Sequence, residues 1–184
     1  MTGSKPHHIG TLSPEMALIG QLFDKPGHGY DLHRRVLADL GQVWHLSQSQ
    51  AYATLKRLEA RGMITSEEVK QSKLPSRQLL RLTEQGRQRF LEWLEKPTSG
   101  STRAIRMEFV TRLYFLRQYM PERLPEAFNR QRNEALENIQ RLETTVANIP
   151  AGQVFNRMSM EMRLEQLKTL LTWLTDSEKY FDQS

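Results

Sequence analysis

Residues 47–64, SQSQAYATLKRLEARGMI, define both ends of one helix, and that constrains the fold more than any other stretch of the chain. Ser47 and Gln50 have the Ser-x-x-Gln spacing of a capping box, in which the hydroxyl takes the third free amide and the glutamine reaches back to the cap. Gly62 stands where a left-handed closing residue belongs. At about 100° per residue, Ala51, Leu55 and Leu58 fall on one stripe. Ser49, Gln50, Ala53, Lys56, Arg57 and Ala60 lie opposite, with Thr54 and Tyr52 on the flanks. A helix this short needs neighbours to brace its apolar stripe, and it leaves an outward face that is slim, polar and cationic.

The flanking sequence supplies those neighbours. Ser13-Pro14-Glu15 reads as a helix start, a hydroxyl cap followed by proline at the first helical position and an acid in the first turn. Met16, Leu18, Ile19, Leu22 and Phe23 make its apolar face before DKPGHGY breaks it. A second helix is expected from about Gly29, with Leu32, Val36, Leu37 and Leu40 inward and Gly41 as terminator. After Gly62, MITSEEV and RQLLRLT are strand candidates around KQSKLPS, a polar loop carrying two lysines. Thr83 caps a fourth helix that turns Phe90, Leu91, Trp93 and Leu94 inward, and KPTSGST has linker composition. The pattern predicts a mainly α chain with a small β-hairpin: a flexible lead over 1–10, a winged helix-turn-helix over 11–97 and a helical dimerisation domain over 98–184.

Beyond the linker, TRAIRMEFVTRLYFLRQYM is amphipathic and Pro121 ends it. From Phe128 the positions Arg132, Ala135, Ile139, Leu142, Val146 and Ile149 recur every three or four residues, and Met160, Leu164, Leu167, Leu171 and Leu174 repeat the pattern. Such seams mark helices that pack lengthwise, within one chain or between two. So few helices have little else to cover two apolar seams. The expectation is therefore a homodimer held through Phe128, Ile139, Leu142, Leu164, Leu167, Leu171 and Leu174.

Charge points to the partner. Between His45 and Phe90 nine basic residues face four acidic ones, so this quarter carries an excess of five, equal to the net charge of the whole chain. A polyanion such as double-stranded DNA is the natural partner for that excess. A helix enters the major groove when another helix braces it, its outward side is slim and cations flank it. Ala53 and Ala60 keep that face low. Ser49, Gln50 and Thr54 offer hydrogen bonds to bases, Arg57 reaches guanine or phosphate, and Lys56 and Tyr52 lie toward the phosphates. A winged-helix module that docks on another protein without specific DNA binding is the competing reading.

Several chemistries find no support. The chain has no cysteine, which removes thiol catalysis, disulfides and Cys-based zinc sites and fits a reducing cytoplasm. No apolar run approaches the roughly 20 residues that cross a bilayer. There is no nucleophile elbow or glycine-rich phosphate loop, so neither an enzyme nor a cofactor is expected. His28 and His33 lack the four-residue spacing of a paired metal site, and no metal is expected. Met158, Met160 and Met162 in MSMEM read as the start of a core seam, or as the lining of a lipophilic pocket. Trp44 and Trp93 fall near the expected domain junction, where a small aromatic effector could stack.

Three segments, MALIGQLFDKPGHGYDLHRRV, VWHLSQSQAYATLKRLEARGMI and SRQLLRLTEQGRQRFLEWL, come in the order and spacing that resemble the PadR family of transcriptional regulators. The long C-terminal portion is similar to the subfamily with several C-terminal helices. The resemblance implies a dimeric DNA-binding repressor on a pseudo-palindromic operator, released by a small aromatic or lipophilic molecule. Carried over to this sequence, it implies that Tyr52 and Lys56 hold phosphates, that Ser49 and Gln50 face the groove, and that Tyr30 packs or touches the DNA backbone. The strand after the loop, RQLLRL, lacks an aromatic that the family often has there. Lys73, Ser76 and Arg77 remain the candidates from the wing.

Overall fold

The computed structural model describes residues 12–69, 77–98 and 101–181; the expected lead over 1–10 and the wing candidates Lys73 and Ser76 lie outside them. The chain divides into two compact units, one ending at Leu94 and the other beginning at Glu95.

In the first unit the order is α1 (Glu15–Gly20), β1 (Gly27–His28), α2 (Gly29–Leu40), α3 (Gln48–Ala60), β2 (Ile64–Val69), β3 (Arg77–Leu82) and α4 (Glu84–Glu95). Both ends of α3 form as the sequence predicts. Ser47 Oγ accepts from the Gln50 backbone N–H at 3.2 Å, and Gln50 Oε1 accepts from the Ser47 N–H at 2.9 Å. At the other end Gly62 has φ +70°, and the Met63 N–H returns to the Leu58 carbonyl at 2.9 Å, closing a Schellman turn. Ala17, Leu18, Ile19, Leu32, Val36, Ala51, Leu55, Leu58, Ile64 and Phe90 are buried and form the core. Leu37, expected inward, is exposed. One face of α2 is wide enough for Leu32, Val36 and Leu40, and Leu37 falls about 100° beyond Val36.

The sheet has three strands where the sequence predicts a hairpin. β2 and β3 pair antiparallel from Ile64 opposite Leu82 to Val69 opposite Arg77. The short β1 adds to the far side of β3, Gly27 opposite Leu80 and His28 opposite Leu79. His28 Nδ1 also bonds the Gln78 carbonyl at 2.9 Å, so the imidazole clips the PGHGY turn to the sheet. The LTEQG segment has a packing explanation. Thr83 Oγ1 accepts from the Gly86 N–H at 3.0 Å and donates toward the Gly62 and Met63 carbonyls at 2.7 and 3.0 Å. A Cβ on Gly86 would stand 2.1 Å from the Met63 carbonyl oxygen, so only glycine lets α4 begin here.

In the second unit, α5 (Thr102–Ala104) runs through a π-turn at Ile105–Phe109 into α6 (Val110–Tyr119). A 3-10 turn at Pro121–Arg123 then leads to two long helices, α7 (Leu124–Ala147) and α8 (Val154–Glu178). Arg132 pairs with Glu178 at 2.6 Å, Lys168 with Glu143 at 3.6 Å, and Arg157 bonds the Ile149 carbonyl at 3.0 Å. Contacts that climb one helix as they descend the other make α7 and α8 an antiparallel hairpin. Phe128 is fully buried against Phe109, edge-to-face at 5.5 Å.

Arg112, only 2% exposed, donates to Thr98 Oγ1 at 2.9 Å, and Gln131 brackets the Thr98 backbone with bonds of 2.8 and 2.9 Å. Burial lowers the Arg112 pKa to about 10, opposed by Glu108 and assisted by Arg130. Burial also raises the pKa of Glu108, against the pull of Arg112.

The hairpin corrects the expected use of the seam. Ile139, Leu142, Leu164 and Leu167 form one buried cluster with Leu171 packed on it, and Phe128 and Leu174 are buried as well. All seven seam residues therefore find cover inside one chain. The periodicity does mark a helix-helix seam. Its partner is the next helix, because residues 148–153 let the chain turn back on itself.

Candidate nucleic-acid interface

Helix α3 packs against α1, α2 and β2, leaving one face open. Ser49, Gln50, Ala53, Lys56, Arg57 and Ala60 are exposed on it, as the helical wheel predicts. Thr54 is a correction. It is 2% exposed, so it is not available to meet a base. The wheel shows a single apolar stripe, but three bracing elements bury more of the helix than that stripe, and the flank goes inside with it.

Two further details limit what the exposed face presents. Gln50 Oε1 is held by the cap, which leaves its amide NH2 to donate outward. Arg57 Nη2 donates to Thr54 Oγ1 at 3.0 Å, so an exposed guanidinium is tied to a buried hydroxyl.

Beside α3 lies a groove of about 620 Å³ that brings together four of the sequence-nominated residues, Tyr30 and Tyr52 with Lys56 and Arg77. They come from three elements, the start of α2, the middle of α3 and the start of β3. Tyr30 is 51% and Tyr52 46% exposed. A Cβ on Gly29 would meet the Tyr52 ring at 3.0 Å and Leu55 at 3.3 Å, so the glycine of the His-Gly-Tyr turn makes room for that ring. Arg34 stands over the Tyr30 ring at 5.8 Å.

Asp31 and Glu59 share the groove wall and were not nominated from sequence, nor was Gln78. No local signal marks them, since the groove is made by segments far apart in the chain. Asp31 sits in the first turn of α2, where a carboxylate complements the positive end of the helix. Its charge works against an anion binding there. Lys56 and Arg77 thus share the groove with two carboxylates, Asp31 and Glu59.

The tryptophans are not brought to this groove. Trp44 is buried, and Trp93 is half-buried and stacked on Phe90 at 5.9 Å, itself 5.3 Å from Phe23. Arg87 completes that cluster, its guanidinium 4.3 Å from the Phe23 ring and bonded to the Phe23 carbonyl at 2.9 Å. His33 is buried and bonds the Leu46 carbonyl at 2.7 Å, a structural role.

Comparison with known proteins matches residues 18–92 to the transcriptional regulator PadR-like family and residues 105–182 to the virulence activator alpha C-terminal region. The negative transcriptional regulator PadR of Bacillus subtilis is 30% identical over 100 residues, 54% of each chain. A Mycobacterium tuberculosis protein named as a probable transcriptional regulator is 26% identical over 83 residues, 45% of this chain and 44% of its own. The chain thus spans about half the length of the curated relatives it matches. Among solved structures, B. subtilis PadR in complex with operator DNA aligns at 22% identity over 91% of this chain and 98% of that one, with a TM-score of 0.42. A PadR-like regulator from Bacillus cereus aligns at 22% identity over 94% and 99%, also with a TM-score of 0.42.

Proposed function

We propose that this chain, whose residues 18–92 match the PadR-like family of transcriptional regulators, is a cytoplasmic DNA-binding repressor that grips a pseudo-palindromic operator as a homodimer. The observation that carries this reading is the open face of α3, slim and polar, bordered by a groove with Tyr30, Tyr52, Lys56 and Arg77 on its walls. In it, Ser49 and the Gln50 amide meet base edges, and Ala53 and Ala60 give the backbone clearance. Lys56, Arg77 and the two tyrosine hydroxyls take phosphates, joined from the wing by Lys73 and Ser76. The division of labour is a winged helix-turn-helix over 11–97 and a dimerisation domain over 98–184.

The second copy needs a surface, and α8 supports one. Phe155 is 85% and Met162 65% exposed, and Val154, Met158, Trp173 and Tyr180 are exposed with them. Phe155, Met158 and Met162 step by three and four, and Trp173 falls on the same side eleven residues further on, about two residues out of phase with the buried seam and roughly opposite it around the helix. A helix apolar on two faces is a buried helix, and α7 covers one of them. A two-fold pairing of α8 with its copy covers the other, since a self-complementary patch closes in a dimer. Replacing Met158 and Met162 by Glu should yield a monomer in analytical ultracentrifugation with its helix content intact. A dimer that persists refutes this surface.

The experiment for the function is selection of bound duplexes from a random library. A palindromic winner with half-sites about 34–36 Å apart supports the proposal. Its affinity should fall with salt at a log-log slope of about −0.9 per phosphate contact. Enrichment of nothing, with salt-insensitive binding to a protein instead, supports the interaction-module reading. Release by a small aromatic or lipophilic effector belongs to the proposal through the family resemblance, with Trp44 and Trp93 as the residues to test. Thermal stabilisation by phenolic acids, lost on Trp93→Ala, is its measurement.

A further inference from the structure

The contact between Arg57 and Thr54 gains a use once α3 is taken as the DNA-reading helix, and the proposal rests on that reading. From its geometry we infer that Thr54 is a positioning residue that aims Arg57 at one base of the operator, and so sets sequence preference without touching DNA. Thr54 is 2% exposed and Arg57 is exposed, yet the Nη2 of Arg57 lies 3.0 Å from Thr54 Oγ1. Side chains on a helix lean toward its N-terminus. The bond to a residue three positions earlier draws the guanidinium further that way, onto the flank that Gln50 shares.

This position matters, because a reading helix contacts base edges with its N-terminal residues. Arg57 starts in the later half of α3 and would, if unrestrained, reach along the helix toward phosphate. Held by Thr54, it is brought to the half that reads. A guanidinium has five N–H donors in one plane, so one bond to Thr54 leaves a pair for the O6 and N7 of a guanine. The anchor is buried, and its bond gives the flexible end of the arginine a direction before DNA arrives. Less side-chain freedom is then lost on binding, which favours the one base that lies along that direction.

Thr54→Val has the shape of threonine without the hydroxyl, and Thr54→Ser restores the hydroxyl. Library selection is run on the full-length chain with both variants, with Thr54→Ala and with Arg57→Ala. The expected result is one base-pair column, symmetric in the two half-sites, whose preference falls by about tenfold in Thr54→Val, Thr54→Ala and Arg57→Ala alike. Thr54→Ser keeps the preference. The salt slope is unchanged in the Thr54 variants, which retain every charge. A merely structural role would weaken all sequences equally and leave every column as it was, and that result overturns the inference. So does a column lost in Arg57→Ala but kept in both Thr54→Val and Thr54→Ala. Thr54→Ala keeps the experiment decisive if valine prevents folding. If the wild-type chain enriches no duplex at all, the DNA-binding reading itself fails and this inference fails with it.

Discussion

Helices α3 and α8 each show an apolar seam in sequence, and they differ in what is left over after folding. Helix α3 is complete within one chain: it is capped, closed by Gly62 and braced by three elements, and its open face is polar. Helix α8 has no side-chain cap and leaves Phe155, Met158 and Met162 near its start and Trp173 near its end exposed on the side away from the buried seam. The difference teaches that the apolar stripe is the least functional part of either helix. In the proposed reading, function falls in both to the face that the fold does not use, polar on one and with exposed apolar side chains on the other. The chemistry of that face tells what kind of partner fits it.

The harshest test of the completeness of α3 and its neighbours is Gly86→Ala. The new methyl would meet the Met63 carbonyl oxygen at 2.1 Å, and that carbonyl already accepts from Thr83, so neither backbone has room to yield. We expect a loss of about 3 kcal/mol or more in the winged-helix unit, read by thermal unfolding. A variant with unchanged melting would show that the α4 start is looser than the comparison requires.

A second pair of variants compares the two faces of α8 directly. Leu167→Ala opens a cavity in the cluster with Ile139, Leu142 and Leu164, at a cost of about 2–4 kcal/mol. Met162→Ala, on the bare face, should leave the stability of the isolated chain within about 0.5 kcal/mol while weakening self-association. Denaturant titration at several protein concentrations separates the two effects. Equal, concentration-independent losses would mean that α8 has one working face.

The open face of α3 is tested by Lys56→Ala. Removing one phosphate contact should lower affinity for every duplex alike, about three- to tenfold at moderate salt, and reduce the salt slope by about 0.9. A changed base preference would instead put Lys56 among the reading residues.

Local chemistry is legible in the sequence. The Ser47–Gln50 box, the closing Gly62, the strands around the wing and the seams of α7 and α8 all lie where residue spacing puts them, because each depends on neighbours in sequence. What the sequence does not show depends on contacts between distant segments. The β1 strand is two residues inside a glycine-rich turn and exists only because Leu79 and Leu80 lie beside it. The burial of Thr54 needs three packed elements at once. A wheel shows that Ile139 and Leu167 face something, and it does not show whose helix that is. The second face of α8 leaves a trace, since Phe155, Met158 and Met162 recur at helical spacing. The trace merges into a single seam because Met160 lies between them.

The smallest expected effect separates the two roles that Gln50 has in α3. Ser47→Ala removes the acceptor for the Gln50 amide, and Gln50→Ala removes the acceptor for the Ser47 amide; each strips one half of the same box. Each should therefore cost a similar amount of stability, about 0.5–1 kcal/mol, because each leaves one backbone N–H at the helix start to water. On DNA they should part. Ser47→Ala leaves the Gln50 side chain bonded to the backbone of residue 47, with its NH2 still directed outward, so the preferred operator stays the same. Gln50→Ala deletes that donor, and the column it contacts should lose its preference by a few-fold. If both variants keep the same operator, Gln50 is a cap and nothing more, and the reading of bases falls to Ser49 and Arg57. If both change it equally, the cap itself sets the angle at which α3 enters the groove, and the completeness of α3 would be part of how it reads.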